Sequence, residues 1–282
     1  MKNTFKILFR FLFFLKELNI GMSKGAASSA SRKIDDSLPE TWEYSSFSQN
    51  GEDGVIDYLV SNLLDSNKYF IEIGSSNGLA NNSAYFALVK QFCGLMVEGN
   101  KLHSILTGII YNIFNKGVAA MNTFVDLENI DELLAESITK RPDIFSIDID
   151  GNDYYLVEKM LEMGFRPKIC VVEYNSNFGP DKSITIPYKS DFNYAKAHPS
   201  RLYYGVSIMA WRKLFAKYGY DFVTVESNGI NAFFISKVEF TEDFMSGKTS
   251  IFFKDHKIEF QIFKKSWSER FKLISDMPFH NV

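Results

Sequence analysis

The sequence predicts an α/β fold of Rossmann-like type, a mostly parallel sheet covered by helices on both faces and ended by an antiparallel hairpin. Three features predict it. Between Tyr69 and Tyr218, apolar runs of strand length alternate with segments of helical period. The first two such runs, Tyr69-Phe-Ile-Glu-Ile and Gly94-Leu-Met-Val-Glu, both carry an acid near their end, and the first opens into a glycine-bounded turn, Gly74-Ser-Ser-Asn-Gly78. Late in the chain, Tyr220 to Val225 and Ile230 to Ile235 are joined by the hairpin-type turn Glu226-Ser-Asn-Gly229.

At 282 residues, 46% hydrophobic and 23% charged, the chain can bury a full core, and one domain with additions at both ends is expected. A net charge of −3 supplies no global basic field, so nucleic acid is excluded as a partner and any anion must be met locally. Cys93 and Cys170 both fall in strand-like runs, which reads as core thiols and a reducing, cytoplasmic setting.

Residues 5 to 18 are intensely apolar but carry Lys6, Arg10 and Glu17 on one helical side. That run is too short for a membrane span, which needs ~20 largely apolar residues. It reads as an amphipathic helix over 1–20, docked on the body or lying at the inner membrane face. A secretory signal is the competitor, with Gly25 to Ala30 as a cleavage region; Arg10 inside the apolar stretch opposes it. Residues 21–43, rich in Gly, Ala and Ser towards their start, read as a linker. The domain proper is expected over 44–236, followed by an extension over 237–282 to which no role is assigned.

A helix is expected over Val55 to Leu64, whose apolar residues stand at 55, 56, 59, 60, 63 and 64. Asn50 and Asp53 serve as its N-cap and first-turn acid. Gln49 and Asn50 are more polar equipment than a cap requires, which suits the mouth of a site. Strands at 69 to 73 and 93 to 98 flank a helix over 81 to 91. A helix over 101 to 113, a weaker strand over 117 to 121 and a helix over 127 to 138 lead to Asp143-Ile-Phe-Ser-Ile-Asp-Ile-Asp150, read as one strand. A helix over Tyr154 to Met163 precedes the fifth strand, Lys168 to Asn175. Residues 176 to 204, with Pro180, Pro187 and Pro199 among aromatics, are too long for an ordinary connection and read as functional. A helix over Val206 to Tyr218, closed by Gly219, leads into the hairpin.

The first turn lacks the Gly-x-Gly-x-x-Gly register of a dinucleotide site. Glu72 beneath it disfavours a diphosphate and suits a cationic ligand, such as a sulfonium amino acid with its ammonium group. Glu98, ending the second strand, is placed to accept hydrogen bonds from both ribose hydroxyls. Together they point to S-adenosylmethionine, with Glu72, Gly74, Ser75, Asn77, Gly78 and Glu98 as the cofactor-binding set. An ordinary strand-to-helix turn is what the glycines alone would mean.

If Asp148 and Asp150 lie two apart on a strand they point the same way, and Glu173 with Asn175 makes a similar pair next door. Asp148, Asp150 and Glu173 are therefore the catalytic candidates. One carboxylate can act as a base, its pKa raised by like charges; the cluster can hold a divalent metal ion; or it can bind hydroxyls. Base and metal both stay open. Helix capping by Asp148 and Asp150 leaves the acids on the neighbouring strand unexplained. Asn175, Tyr188 and His198, the last two in the 176–204 insertion, are the candidate substrate-binding residues.

Several motifs resemble the FkbM-type family of S-adenosylmethionine-dependent methyltransferases, in particular a bacterial branch associated with surface-glycan biosynthesis. The resemblance runs from Phe47 to about Ser236. It includes Phe47-Ser-Gln-Asn-Gly-Glu-Asp-Gly, Phe70-Ile-Glu-Ile-Gly-Ser-Ser-Asn-Gly, Gly94-Leu-Met-Val-Glu-Gly-Asn, Ser146-Ile-Asp-Ile-Asp-Gly-Asn-Asp-Tyr, Val171-Val-Glu-Tyr-Asn, Ile186-Pro-Tyr, Tyr204-Gly-Val-Ser and Asn231-Ala-Phe-Phe. Many members carry Asp and Ala where this chain has Glu72 and Ser75; the charge is kept and a hydroxyl is added. The resemblance implies the seven-stranded methyltransferase variant of the doubly wound sheet. It also implies O-methylation of a sugar or glycan precursor of capsule or lipopolysaccharide type. A non-catalytic glycan-binding scaffold on the same fold and a nucleotide-dependent oxidoreductase are the rivals.

Overall fold

The computed structural model describes the backbone of residues 2–282, with side chains from Leu15 onward apart from those of Glu17 and Ser29. Helix α1 (Lys2–Ser31) opens the chain, and α2 (Glu52–Ser61) leads into the sheet. There follow β1 (Tyr69–Ile73), α3 (Ala84–Leu88), β2 (Cys93–Glu98), α4 (Lys101–Phe114) and β3 (Val118–Asn122). Next come α5 (Ile130–Glu136), β4 (Ile144–Ile147), α6 (Asp153–Glu162) and β5 (Ile169–Glu173). The insertion carries β6 (Ile184–Thr185) and α7 (Tyr194–Ala197); α8 (Ile208–Lys217) then feeds the hairpin of β7 (Tyr220–Val225) and β8 (Asn231–Ser236). The tail forms α9 (Lys257–Phe263), α10 (Trp267–Phe271) and β9 (His280–Asn281).

Seven strands make one sheet in the order β3-β2-β1-β4-β5-β8-β7. The first five pair in parallel, whereas β8 runs antiparallel to both β5 and β7. This is the expected doubly wound sheet with its antiparallel hairpin. Side chains alternate between faces along each strand. Ile71 and Ile73 of β1 pack with Leu156, Met160, Trp211 and Phe215 under α6 and α8, while Phe70 packs with Ile56, Leu59, Ile110 and Tyr111 under α2 and α4. Burying both faces is what forces ligands to the rim. At the rim where the parallel strands begin, Lys168 pairs with Asp143 at 2.9 Å in a buried bridge, leaving the opposite rim for a site.

Two local expectations need correction. The supposed linker does not begin at residue 21, because Gly21 to Ser31 complete α1. The small residues serve packing: a Cβ on Gly21 would meet Phe47 Cε1 at 2.8 Å, and one on Gly25 would meet Ser46 Oγ at 2.5 Å. Asn50 does not cap α2. Gly51 is the N-cap with φ +112°, and Asp53 instead accepts the backbone N–H groups of Ser46, Phe47 and Ser48 at 2.7, 2.7 and 2.9 Å. Among the described residues no helix is long and apolar enough to cross a membrane. The side chains of residues 5 to 14, which carry most of the amphipathic reading of 5–18, lie outside the described ones.

The insertion and the tail form a third apolar cluster, in which Phe178, Ile184, Ile186, Leu202 and Tyr203 enclose Ile274. β6 pairs with β9 there. The extension after residue 236 is therefore packed against the insertion, beside the sheet rim.

Candidate functional site

In this strand order the chain reverses direction across the sheet between β1 and β4, and the crevice at their carboxyl ends is where open α/β sheets take ligands. The turn after β1 is held tightly. Gly74 has φ +87°, and a Cβ there would fall 1.9 Å from the carbonyl oxygen of Asp148. Gly78, at φ +78°, likewise abuts Thr107, 2.6 Å from its Oγ1. Asn77 Oδ1 accepts from the N–H groups of Leu79 and Ala80, so that side chain shapes the turn. Ser75 is fully buried, and its Oγ has no hydrogen-bond partner among the described residues.

Both candidate acids of the cofactor set are engaged by backbone. Glu72 accepts from Asn82 and Ser83 N–H at 3.0 and 2.8 Å, and burial pushes its carboxyl up to about 7 against the pull of those bonds. Glu98 accepts from Ser76 N–H through one oxygen at 2.8 Å and from Asn100 N–H through the other at 2.7 Å, joining the turns after β1 and β2. Glu72 faces the central cavity described below, whereas Glu98 lies further along the rim.

The structure brings Asp148, Asp150 and Glu173 together: one carboxylate oxygen from each lies within 4.8 Å of the others. The reason differs from strand alternation, because β4 stops at Ile147 and both aspartates lie in the loop beyond it. Asp150 has φ +54°, a left-handed kink. Asp153 holds that kink by accepting the N–H groups of Ile149 and Gly151, both at 2.9 Å. It is thus a brace for the loop as well as the first residue of α6.

The clustering shows in the acidities. Asp148 is open to water on its cavity side yet closely surrounded by protein; that enclosure, with the charges of Asp150 and Asp153, raises its pKa well above the ordinary range. Glu173 is raised well above its own, first by burial and then by Asp148 and Asp150. Two like charges this close favour a proton on one of the two carboxyls. Burial, then the charge of Asp153, pushes Asp150 up to about 6.

Asp148 and Glu173 open onto a cavity of about 270 Å³ that also meets Gly74, Glu72, Asn81 and Asn82. Gln49 and Asn50 line it, as their position at a site mouth requires, and Glu52 joins them. The wall holds four carboxylates, five carboxamides and, apart from the His256 imidazole, no aromatic ring. Its chemistry suits hydroxyl-rich or cationic groups rather than planar apolar ones.

The three candidate substrate residues are elsewhere engaged. Asn175 is buried: its Nδ2 donates to the carbonyls of Leu202 and Tyr204, both at 2.9 Å, and its Oδ1 accepts from Asn177. It clamps the insertion and has no donor left for a substrate. Tyr188 lines a second cavity of about 820 Å³ with Phe124, Phe192 and Tyr203, and its hydroxyl accepts from Leu127 N–H at 3.3 Å. His198 bonds Ser200 within its own turn and lines neither cavity.

Sequence reasoning gave no site role to the cavity residues Glu52, Asn81, Asn82, Asn231 and His256, and two of these are instructive. Asn231 stands opposite Glu173 in the β5–β8 register; its Nδ2 donates to Glu52 Oε1 at 2.7 Å, and its Oδ1 is buried without a partner among the described residues. The signal for it was the hairpin register, which sets the first residue of β8 beside the last of β5. The other is His256, carried in by the tail, where no periodic pattern announces a position.

No family model matches the chain, and no curated protein matches it. Solved structures do. An O-methyltransferase from Bacillus cereus, in complex with S-adenosylhomocysteine, is 14% identical over 78% of this chain and 89% of its own, with a TM-score of 0.40. An S-adenosylmethionine-dependent methyltransferase from Clostridium acetobutylicum is 12% identical over 65% and 89%, with a TM-score of 0.41. A Galdieria sulphuraria protein described as a sarcosine dimethylglycine methyltransferase is 10% identical, with a TM-score of 0.38; the chain spans 60% of its length, and the match covers 60% of this chain. The fold assignment rests on the strand order itself.

Proposed function

We propose that this chain is an S-adenosylmethionine-dependent O-methyltransferase acting on a hydroxyl of a sugar or glycan precursor, of the FkbM type that its motifs resemble. The observation that carries the reading is the meeting of Asp148, Asp150 and Glu173 within 4.8 Å, with Asp148 and Glu173 sharing one polar cavity with the Gly74 turn at the crevice between β1 and β4. The residues present fit the cofactor. Gly74 leaves the backbone bare where a side chain cannot stand, the buried Ser75 hydroxyl lacks a partner among the described residues, and the acid-rich wall suits an ammonium and a sulfonium.

When bound, S-adenosylmethionine would supply the methyl group to the acceptor oxygen, leaving S-adenosylhomocysteine and a methyl ether. The hydroxyl proton passes to whichever of Asp148 and Glu173 is ionised. Holding the oxygen in line behind the methyl group is the larger effect, and the base contributes ~10²–10⁴-fold. The cavity wall supports a sugar acceptor through its carboxylates and carboxamides. A cytoplasmic setting, with residues 5–18 touching the inner membrane face, belongs to the same reading. Vesicle co-sedimentation with and without residues 1–20 tests it, and equal partitioning defeats the membrane part.

A second version has an observation of its own: three carboxylates within 4.8 Å make an all-oxygen donor set suited to a hard divalent ion. Such an ion, held by Asp148, Asp150 and Glu173, would lower the pKa of a bound hydroxyl. Turnover that survives exhaustive chelation rejects that version and leaves the base.

Calorimetry with S-adenosylmethionine, S-adenosylhomocysteine and NAD is the primary test. Binding of the first two without NAD is expected, and tight binding of NAD alone sinks the proposal. Product mass after incubation with labelled cofactor and a panel of nucleotide-linked sugars then identifies the acceptor.

A further inference from the structure

The tail contributes a side chain to the cavity that the proposed chemistry has not used. His256 stands at the N-cap of α9 and lines the same cavity as Asp148 and Glu173. Its position is fixed from several sides. Its Nδ1 accepts from Glu259 N–H at 3.4 Å, and its own N–H donates to Ser176 Oγ at 3.0 Å, which ties it to the loop after β5. Behind it the fully buried Arg270 of α10 pairs with Asp255 and Glu259, and donates from Nε to Asn177 Oδ1 at 2.6 Å. Asn177 in turn is bonded to the Asn175 clamp. An arginine with no exposed surface, held on every side, makes this wall part of the folded core.

The tautomer of His256 follows from these bonds. A neutral imidazole whose Nδ1 accepts carries its proton on Nε2. Burial, and then the Arg270 charge, lower its pKa to about 4, outweighing Asp255, so the ring is neutral at physiological pH. Nε2–H has no protein acceptor among the described residues, and the atom is not enclosed. The carboxylates it shares the cavity with, Glu52, Glu72, Asp148 and Glu173, are acceptors when ionised; His256 offers a donor.

A donor has one productive target here. A hydrogen bond given to the attacking oxygen would draw charge from the atom that must attack the methyl carbon, whereas one given to the neighbouring oxygen fixes the acceptor without lowering its nucleophilicity. We propose that the His256 Nε2–H binds the oxygen adjacent to the one methylated, so that the site takes vicinal diols, with one hydroxyl at Asp148 and Glu173 and the next at His256. This rests on the methyltransferase reading above.

The test uses the full chain with His256→Ala and His256→Gln, since Gln keeps a neutral donor near the same reach. S-adenosylhomocysteine affinity is expected to stay within about threefold in all three proteins, showing an intact cofactor site. For a nucleotide-linked sugar that the wild type methylates, kcat/KM falls about 10–100-fold in His256→Ala and recovers in large part in His256→Gln. The sugar lacking the neighbouring hydroxyl loses a similar factor with the wild type but little more with His256→Ala. Unchanged kcat/KM in His256→Ala, or equal discrimination against the deoxy sugar in both, overturns the inference alone. A wild-type chain that binds no S-adenosylhomocysteine overturns the methyltransferase reading itself. Nitrogen-15 spectra of the ring at pH 7 decide the donor independently of any acceptor: Nε2–H is expected, and an Nδ1–H ring overturns the inference.

Discussion

Gly74 and the carbonyl of Asp148 touch so closely that a Cβ on the glycine would stand 1.9 Å from that oxygen. The turn after β1 and the acid loop after β4 are therefore one packed unit. Gly74→Ala must both adopt φ +87° and push the two loops apart. The left-handed conformation alone costs about 1–3 kcal/mol. A drop in melting temperature of at least about 2 °C is expected. S-adenosylhomocysteine affinity should fall more than about tenfold, or about 1.4 kcal/mol. Calorimetry on a folded Gly74→Ala variant with wild-type affinity would separate the two loops and remove this argument.

Asp153 gives a sharper probe of the acid loop, because its carboxylate alone holds the N–H groups of Ile149 and Gly151. In Asp153→Asn one oxygen becomes an amide that faces an N–H instead of accepting from it. Losing a charge-assisted bond costs about 1.5–3 kcal/mol, and the Asp150 kink should relax. Turnover is expected to fall about 100-fold, as misplacement of reacting groups does, with cofactor affinity nearly unchanged. Asp150→Asn should slow turnover and likewise spare binding. If Asp153→Asn turns over normally while Asp150→Asn does not, the loop needs no brace.

The sheet was legible because burial on two faces writes itself as apolar runs: β1, β2 and β7 begin and end where those runs do. The acid cluster was legible for the wrong reason. Alternation along a strand predicted that Asp148 and Asp150 share a side, whereas a left-handed residue and the Asp153 brace turn them together. Three features left no local trace. Gly21 and Gly25 look like linker residues, yet they are small because α1 packs on Phe47 and Ser46. Asn175 looks like a substrate ligand because its clamp partners lie 27 and 29 residues on. His256 reaches the cavity through contacts about eighty residues apart in sequence, such as its bond to Ser176, which no periodicity can encode.

The buried acids set a pH dependence of stability. Burial is the largest cause in each of five: it pushes Asp150 up to about 6, Glu43, Asp53 and Glu72 to about 7, and Glu226 to about 8. A carboxyl with a higher pKa folded than unfolded stabilises fully below its unfolded value near ~4, and that contribution is lost as pH rises through the folded value. His256 acts oppositely: lowered to about 4, it favours the fold above its unfolded value near 6.5, and that help fades as pH falls. Five groups outweigh one. The melting temperature is expected to be higher at pH 5 than at pH 8, with a shallower slope in Glu72→Gln. A melting temperature that climbs from pH 5 to pH 8 contradicts this.

Glu98 separates turn-holding from ligand-holding. Each of its oxygens accepts one backbone N–H, from Ser76 and from Asn100, which leaves each a second lone pair. Two ribose hydroxyls can use those lone pairs without releasing either loop. Glu98→Gln keeps the shape but turns one oxygen into a donor that opposes an N–H and can no longer accept from a hydroxyl. Glu98→Ala removes both braces and both acceptors. If Glu98 only braced the turns, the two variants would lose melting temperature and cofactor affinity in parallel. If it also binds ribose, Glu98→Gln should lose S-adenosylhomocysteine affinity by about 10–100-fold, since charged-acceptor bonds are worth about 1.5–3 kcal/mol, while its melting temperature falls less than that of Glu98→Ala. The binding loss should be much smaller for a cofactor fragment that lacks the ribose hydroxyls. Equal losses for the intact cofactor and that fragment would assign Glu98 to the fold alone.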